Sequence, residues 1–178
     1  RDTKIQKTLL MEKYDLAKAC EIQAKNMGLT SKIIPMSNEN SDIKIVTDIG
    51  ELEFHDFLIK HQSEPEVLDV RFSKVAPCDG IIDAINNSDA VIIGPSNPIT
   101  SILPILSLEG VRDALKNAYV VAVSPIIGND SVSGPASKFM EALDIDVSSV
   151  GVASLYQDFL DTFVIDLKDD DKKVEVNQ

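Results

Sequence analysis

Cysteine occurs only twice in this chain, at Cys20 and Cys78, far apart, with no CxxC partner and no histidine at metal-ligand spacing. That argues against a zinc site and a disulfide framework alike. Cys20 reads as a core-facing residue of a helix. Cys78 falls at a predicted helix start, where a thiolate can be stabilised, but its expected role is structural. Positive charge is also scarce: 17 Lys plus Arg stand against 29 Asp plus Glu, a net charge of −12. Nucleic acid is therefore not the expected partner, since a phosphate backbone demands clustered basic residues. The imbalance is not a tail effect, because Lys168 to Gln178 carries a net of only −1 and leaves −11 to the rest. No apolar run approaches the roughly 18 residues of a membrane span. No basic, then apolar, then small-residue leader opens the chain, so a cytoplasmic location and no membrane partner are expected. Also missing are a Gly-Lys-Ser or Gly-Lys-Thr phosphate loop, a three-glycine dinucleotide fingerprint, an HExxH pair and a Ser-His-Asp ordering. Covalent hydrolase chemistry has no support.

What is present fits a globular α/β protein: 44% apolar and 26% charged residues over 178. Apolar residues at three- and four-residue spacing predict two helices from Thr3 to Met27, broken near Tyr14-Asp15, with Asp15 as N-cap and Gly28 as the stop. Short apolar stretches at 32–36, 43–47 and 52–54, with turn chemistry between them, predict strands of an antiparallel insertion over 30–75; Phe57-Leu58-Ile59 and Val67 to Phe72 are two further candidate elements. After Pro77 the rhythm alternates. A helix at 80–86, a strand at 90–94, a helix over 100–116 interrupted near Leu108-Glu109-Gly110, and a strand at 119–123 are followed by a helix at 135–143. A strand at 149–152, a helix at 155–160 and a strand at 162–165 complete the series. Continuous apolar strands separated by helices predict a doubly wound, mainly parallel, Rossmann-like sheet. The expected organisation is one α/β domain over 1–166, opening on Arg1 inside a helical pattern as a truncated or processed chain would, and a solvated polar tail over 167–178.

In such sheets ligands sit beyond the carboxyl ends of the strands. Two loops occupy that position. Gly94-Pro95-Ser96-Asn97-Pro98-Ile99-Thr100-Ser101 combines stiff turns, hydroxyls and a helix start whose N–H groups can face an anion; the plainer reading is a βα turn that caps its helix. The second, Ser124 to Lys138, has the length of a binding loop and could present Ser124, Gly128, Ser133, Gly134 and Lys138 to a ligand. Glu64-Pro65-Glu66 with His55 and His61 reads more simply as a hydrophilic turn than as a metal or ribose site. An acidic chain must hold an anion by backbone N–H groups, single cations or a divalent metal.

Taken in order, Pro35-Met36-Ser37, Thr47-Asp48-Ile49-Gly50-Glu51-Leu52, Glu64-Pro65-Glu66-Val67, Gly94-Pro95-Ser96-Asn97-Pro98 with Thr100-Ser101-Ile102, Ser124-Pro125-Ile126-Ile127-Gly128, Ser133-Gly134-Pro135-Ala136 and Tyr156-Gln157-Asp158-Phe159-Leu160-Asp161 resemble the 2-phospho-L-lactate transferase family. The resemblance implies a transferase of coenzyme F-420 biosynthesis. Its substrates would be a guanosine-diphosphate-activated phospholactyl (or phosphoenolpyruvyl) donor and the deazaflavin Fo, with GMP released and Mg²⁺ as cofactor. Ser96, Asn97, Thr100 and Ser101, following Gly94, would face the phosphates or ribose. Ser124, Gly128, Ser133, Gly134 and Lys138 would line the guanine side. The family's N-terminal Gly-rich loop and Asp-rich segment have no counterpart here, which leaves the activity of this chain, its metal ligands and a homodimer open. The related gluconeogenesis-factor family is the alternative, and Asn97-Pro98 argues against it; a non-catalytic fragment is the third reading.

Overall fold

The structure, a computed structural model, describes residues 2–128, 130–131 and 134–172. Helices α1 (Asp2–Met11) and α2 (Leu16–Asn26) form where the periodicity places them. The Asp15 carboxylate accepts from the Lys18 N–H at 2.8 Å and starts α2; Gly28, at φ +73°, ends it. The buried residues of α2 are Ala19 and Ala24, and Cys20 is half-buried, so the alanines make the closest core contact. Cys78 is buried, and desolvation pushes its thiol above the ordinary range.

The insertion is an antiparallel sheet of β1 (Ile43–Thr47), β2 (Gly50–Glu53) and β3 (Val67–Phe72), in the order β2-β1-β3. Thr47 pairs with Gly50 across the turn, and its hydroxyl donates to the Gly50 carbonyl at 2.7 Å. One expectation fails here. The stretch 32–36 is irregular and joins no ladder; Pro35 has no N–H to give one. The further element at Phe57-Leu58-Ile59 is a π-helical turn, Asp56–Lys60, that buries the Phe57 ring completely.

The second half forms α3 (Ile81–Asn86), β4 (Val91–Ile93), a π-helical turn at Pro98–Ile102, α4 (Leu103–Leu106), α5 (Val111–Leu115) and β5 (Val120–Val123). The short hairpin β6 (Ile126–Ile127) and β7 (Asp130–Ser131), then α6 (Ala136–Ala142), α7 (Ser149–Ser154) and β8 (Thr162–Val164) complete it. Strands β4, β5 and β8 make a parallel sheet in that order. The mixed α/β class, with an antiparallel insertion beside a parallel sheet, is as expected. The helix break near Leu108–Gly110 is real, with Gly110 at φ +79°.

The expected strand at 149–152 is instead helix α7, and the expected helix at 155–160 is a series of turns, so the parallel sheet has three strands among the described residues. The Ser148 hydroxyl accepts from the Gly151 N–H at 3.1 Å and donates to the Asp146 carboxylate, which starts a helix where apolar content alone suggested a strand. Glycine is required at 151, since a Cβ there would lie 1.9 Å from the Asp146 carbonyl oxygen. Arg112 holds the following turns: it donates to Asp158 and to the Leu155 carbonyl, and its guanidinium lies 5.4 Å from the Phe159 ring centre.

Helix α6 joins the two sheets, packing on β3 and on the Pro98–Ile102 turn. Its Phe139 ring, fully buried, meets Phe54 and Phe57 at 6.2 and 5.7 Å between centres. One apolar cluster thus runs from Ile45 and Val70 through Phe139 to Val120 and Val152. The expected solvated tail also fails in part: a 3-10 helix spans Leu167–Lys172, and Asp169 within it is only 1% exposed.

Candidate functional site

Strands β4 and β5 are parallel neighbours, with Ile93 opposite Ala122, so the chain leaves both at the same edge of the sheet. The segments that follow are the two loops singled out from the sequence. Because α6 packs against the Pro98–Ile102 turn, the structure brings the Asn97 turn and the α6 end of the second loop together.

In the first loop Gly94, Ser96 and Ser101 are exposed, Asn97 is half-buried and Thr100 is buried. Asn97 is the N-cap of the π-helical turn. Its side-chain oxygen accepts from the Ile99 and Thr100 N–H groups at 3.0 and 3.1 Å, while its carbonyl accepts from Ser101 and Ile102. Pro98 has no N–H. The helix start is therefore already satisfied from within, and an anion would not find the free N–H groups that a bare helix terminus offers. Among the described residues the Asn97 Nδ2 amide and the hydroxyls of the exposed Ser96 and Ser101 take no hydrogen-bond partner. The capping reading and the ligand reading apply to two ends of one side chain.

In the second loop Ser124, Gly128 and Lys138 have their polar groups bonded within the chain. The Ser124 hydroxyl, buried, donates to the Ile126 carbonyl at 2.9 Å and accepts its N–H at 3.1 Å. The Gly128 N–H lies 3.1 Å from both carboxylate oxygens of Asp169, and the Gly128 carbonyl accepts from Lys172 at 3.1 Å. Lys138 points to the insertion, donating to the carbonyls of Ser63 and Glu64; there Gln62 and Ser63 stand at φ +51° and +59°, which side-chain-bearing residues rarely adopt. Its ammonium is engaged in holding that turn. Gly134 is exposed, at φ +63°. Ser133 lies outside the described residues.

Sequence reasoning missed Asp169 and Lys172, whose only visible signal is an acidic run indistinguishable from a solvated tail. It also missed the apolar groove beside Gly94, about 430 Å³, lined by Met36, Ile85, Ile92, Ile93 and Ile105 among others, where Ile92 of the edge strand β4 is 74% exposed. Glu64 and His61 line a separate polar pocket with Lys60 and Gln62. Among the described residues no three His, Cys, Asp or Glu side chains group closely enough to hold a metal ion.

A family model described as 2-phospho-L-lactate transferase CofD matches residues 2–178. The 2-phospho-L-lactate transferase of Methanothermobacter thermautotrophicus is 56% identical over 178 residues, covering 100% of this chain and 58% of that protein. The protein of the same description from Methanocaldococcus jannaschii is 42% identical over 184 residues, covering 99% and 59%. In fold, the chain is similar to a crystal structure of a UPF0052 family member from Bacillus halodurans, with a TM-score of 0.61 at 19% identity, covering 89% of this chain and 50% of that one. The chain thus spans 58% and 59% of the length of these two curated relatives.

Proposed function

The chain belongs to the 2-phospho-L-lactate transferase family, and from that premise we propose that the complete protein moves a phospholactyl-type group from a guanosine-diphosphate-activated donor to Fo. The observation that carries this reading is the pair of polar loops at the ends of adjacent parallel strands, held together by α6. In the reaction, the terminal hydroxyl oxygen of Fo attacks the phosphorus that bears the lactyl group. The bond from that phosphorus to the bridging oxygen breaks, GMP leaves, and the hydroxyl proton passes to solvent. Such a displacement needs little covalent help, so positioning and charge neutralisation are what a protein must supply.

On this reading the Asn97 Nδ2 amide and the Ser96 and Ser101 hydroxyls bind oxygens of the donor, and the second loop borders its base. Gly128, Ser124 and Lys138 act through loop shape, because their polar groups are bonded within the chain. The same proposal carries Mg²⁺ as a requirement of the assay: at a net charge of −12 the protein offers a pyrophosphate few cations of its own. A cytoplasmic enzyme fits the absence, among the described residues, of a helix long and apolar enough to cross a membrane. Incubating the complete protein with Fo, the guanosine-activated donor and Mg²⁺ should release GMP and yield a phosphorylated deazaflavin. Bound donor without GMP release would rule the transfer out. Titration with GDP against a UDP-sugar is the second arm, and tighter binding of the UDP-sugar would point to the gluconeogenesis-factor reading instead.

A further inference from the structure

Gly128 is held at both its N–H and its carbonyl by one short element, 41 and 44 residues away in sequence. Both oxygens of Asp169 lie 3.1 Å from its N–H, and Lys172 bridges the pair, 3.3 Å from Asp169 Oδ1 and donating to the Gly128 carbonyl at 3.1 Å. Gly128 itself, at φ +66°, directly follows Ile127, which pairs with Asp130 across the β6–β7 turn. A hairpin turn at a surface has its N–H served by water at no cost. Here a carboxylate with 1% of its surface exposed performs that task, and burying such a charge is unfavourable unless its partners are fixed. The arrangement makes sense where the position of the turn matters more than its stability.

We propose that Asp169 and Lys172 are positioning residues for the second ligand loop: they fix the direction in which the chain leaves β6 and thereby set the affinity for the donor, not its turnover. This rests on the reading that the loop borders the donor's nucleotide. Asp169→Asn keeps the shape but removes the charge that holds Lys172 and one of the two acceptor oxygens. Lys172→Met keeps the aliphatic stem and removes the bridge. Lys172→Arg restores a cation.

The test uses the complete protein, with GDP as the probe in binding titrations, the donor varied in initial-rate assays, and amide hydrogen exchange read at Gly128. Asp169→Asn and Lys172→Met should each weaken GDP binding and raise the donor KM by roughly tenfold, with kcat at saturating donor within about threefold of wild type, as expected when only positioning is lost. The Gly128 amide should exchange faster in both, and Lys172→Arg should recover most of the affinity. Leu167→Ala, at an 87% exposed position of the same element, should leave every readout unchanged. Folded variants that bind GDP as wild type does, or that lose kcat with KM unmoved, would overturn the proposal. So would an unaltered Gly128 exchange rate. Should Asp169→Asn fail to fold, Lys172→Met carries the same comparison. A wild type that binds no GDP at all would instead strike the transferase reading beneath it, an outcome distinct from equal binding by wild type and variants.

Discussion

On the proposed reading the Asn97 side chain caps its turn with the oxygen and meets the donor with the amide, and substitution can separate the two. Asn97→Ala removes the cap and should cost about 1 kcal/mol, read as a lower urea midpoint. Asn97→Asp keeps the acceptor at the same place, so the midpoint should stay within a few tenths of a kcal/mol, while the lost amide and added charge should weaken GDP binding by roughly tenfold. Equal losses of binding and stability in both variants would mean that the side chain only caps. Tyr156 offers a residue-scale test of a different kind. Its ring is 2% exposed, and burial pushes the phenol well above its ordinary value of 10.0, with Arg112 acting weakly in the opposite direction. A folded-state value above the unfolded one means that ionisation favours the unfolded chain. The stabilisation is intact below about pH 10 and is lost as pH rises beyond it. Tyr156→Phe should therefore flatten the fall in the urea midpoint between pH 9 and pH 11 while changing little at pH 7.

At the scale of elements, what could be read from the sequence depended on how far away the deciding contact lay. Asp15 caps α2 from three residues off, and the apolar Val120–Val123 run had no local competitor, so both were legible. Ser149-Val150-Gly151-Val152 was not. A short apolar run suits a buried strand or a helix equally, and the choice here falls to the Ser148 cap and the close approach of Asp146 to Gly151. That approach makes a sharp prediction. Gly151→Ala should destabilise by about 3 kcal/mol or more, because the obstructing atom is backbone, and should lower the thermal midpoint accordingly. The candidate site follows the same rule. The strand-to-loop segment at Gly94 was visible as a position, but the roles of Lys138 and Asp169 were not, since their partners lie some 75 and 41 residues away.

For the whole molecule, the decisive residue is Phe139, which touches the rings of the antiparallel insertion while its helix packs on the turn after β4. Phe139→Ala should cost about 3–5 kcal/mol and, if the two sheets unfold as one unit, leave a single urea transition at lower midpoint. Two resolved transitions would show that the insertion and the parallel sheet hold together independently. The β1–β2 pairing closes over two residues, whereas the β5–β8 pairing needs closure of about forty. Local hairpins form in microseconds and distant pairings later, because loop entropy must be overcome first. In time as well as in space, then, α6 is the hinge between the sheets: in pulse-labelled refolding its amides and those of β8 should gain protection after those of β1 and β2, so that the mouth between the two loops exists only once the rest of the chain has already folded.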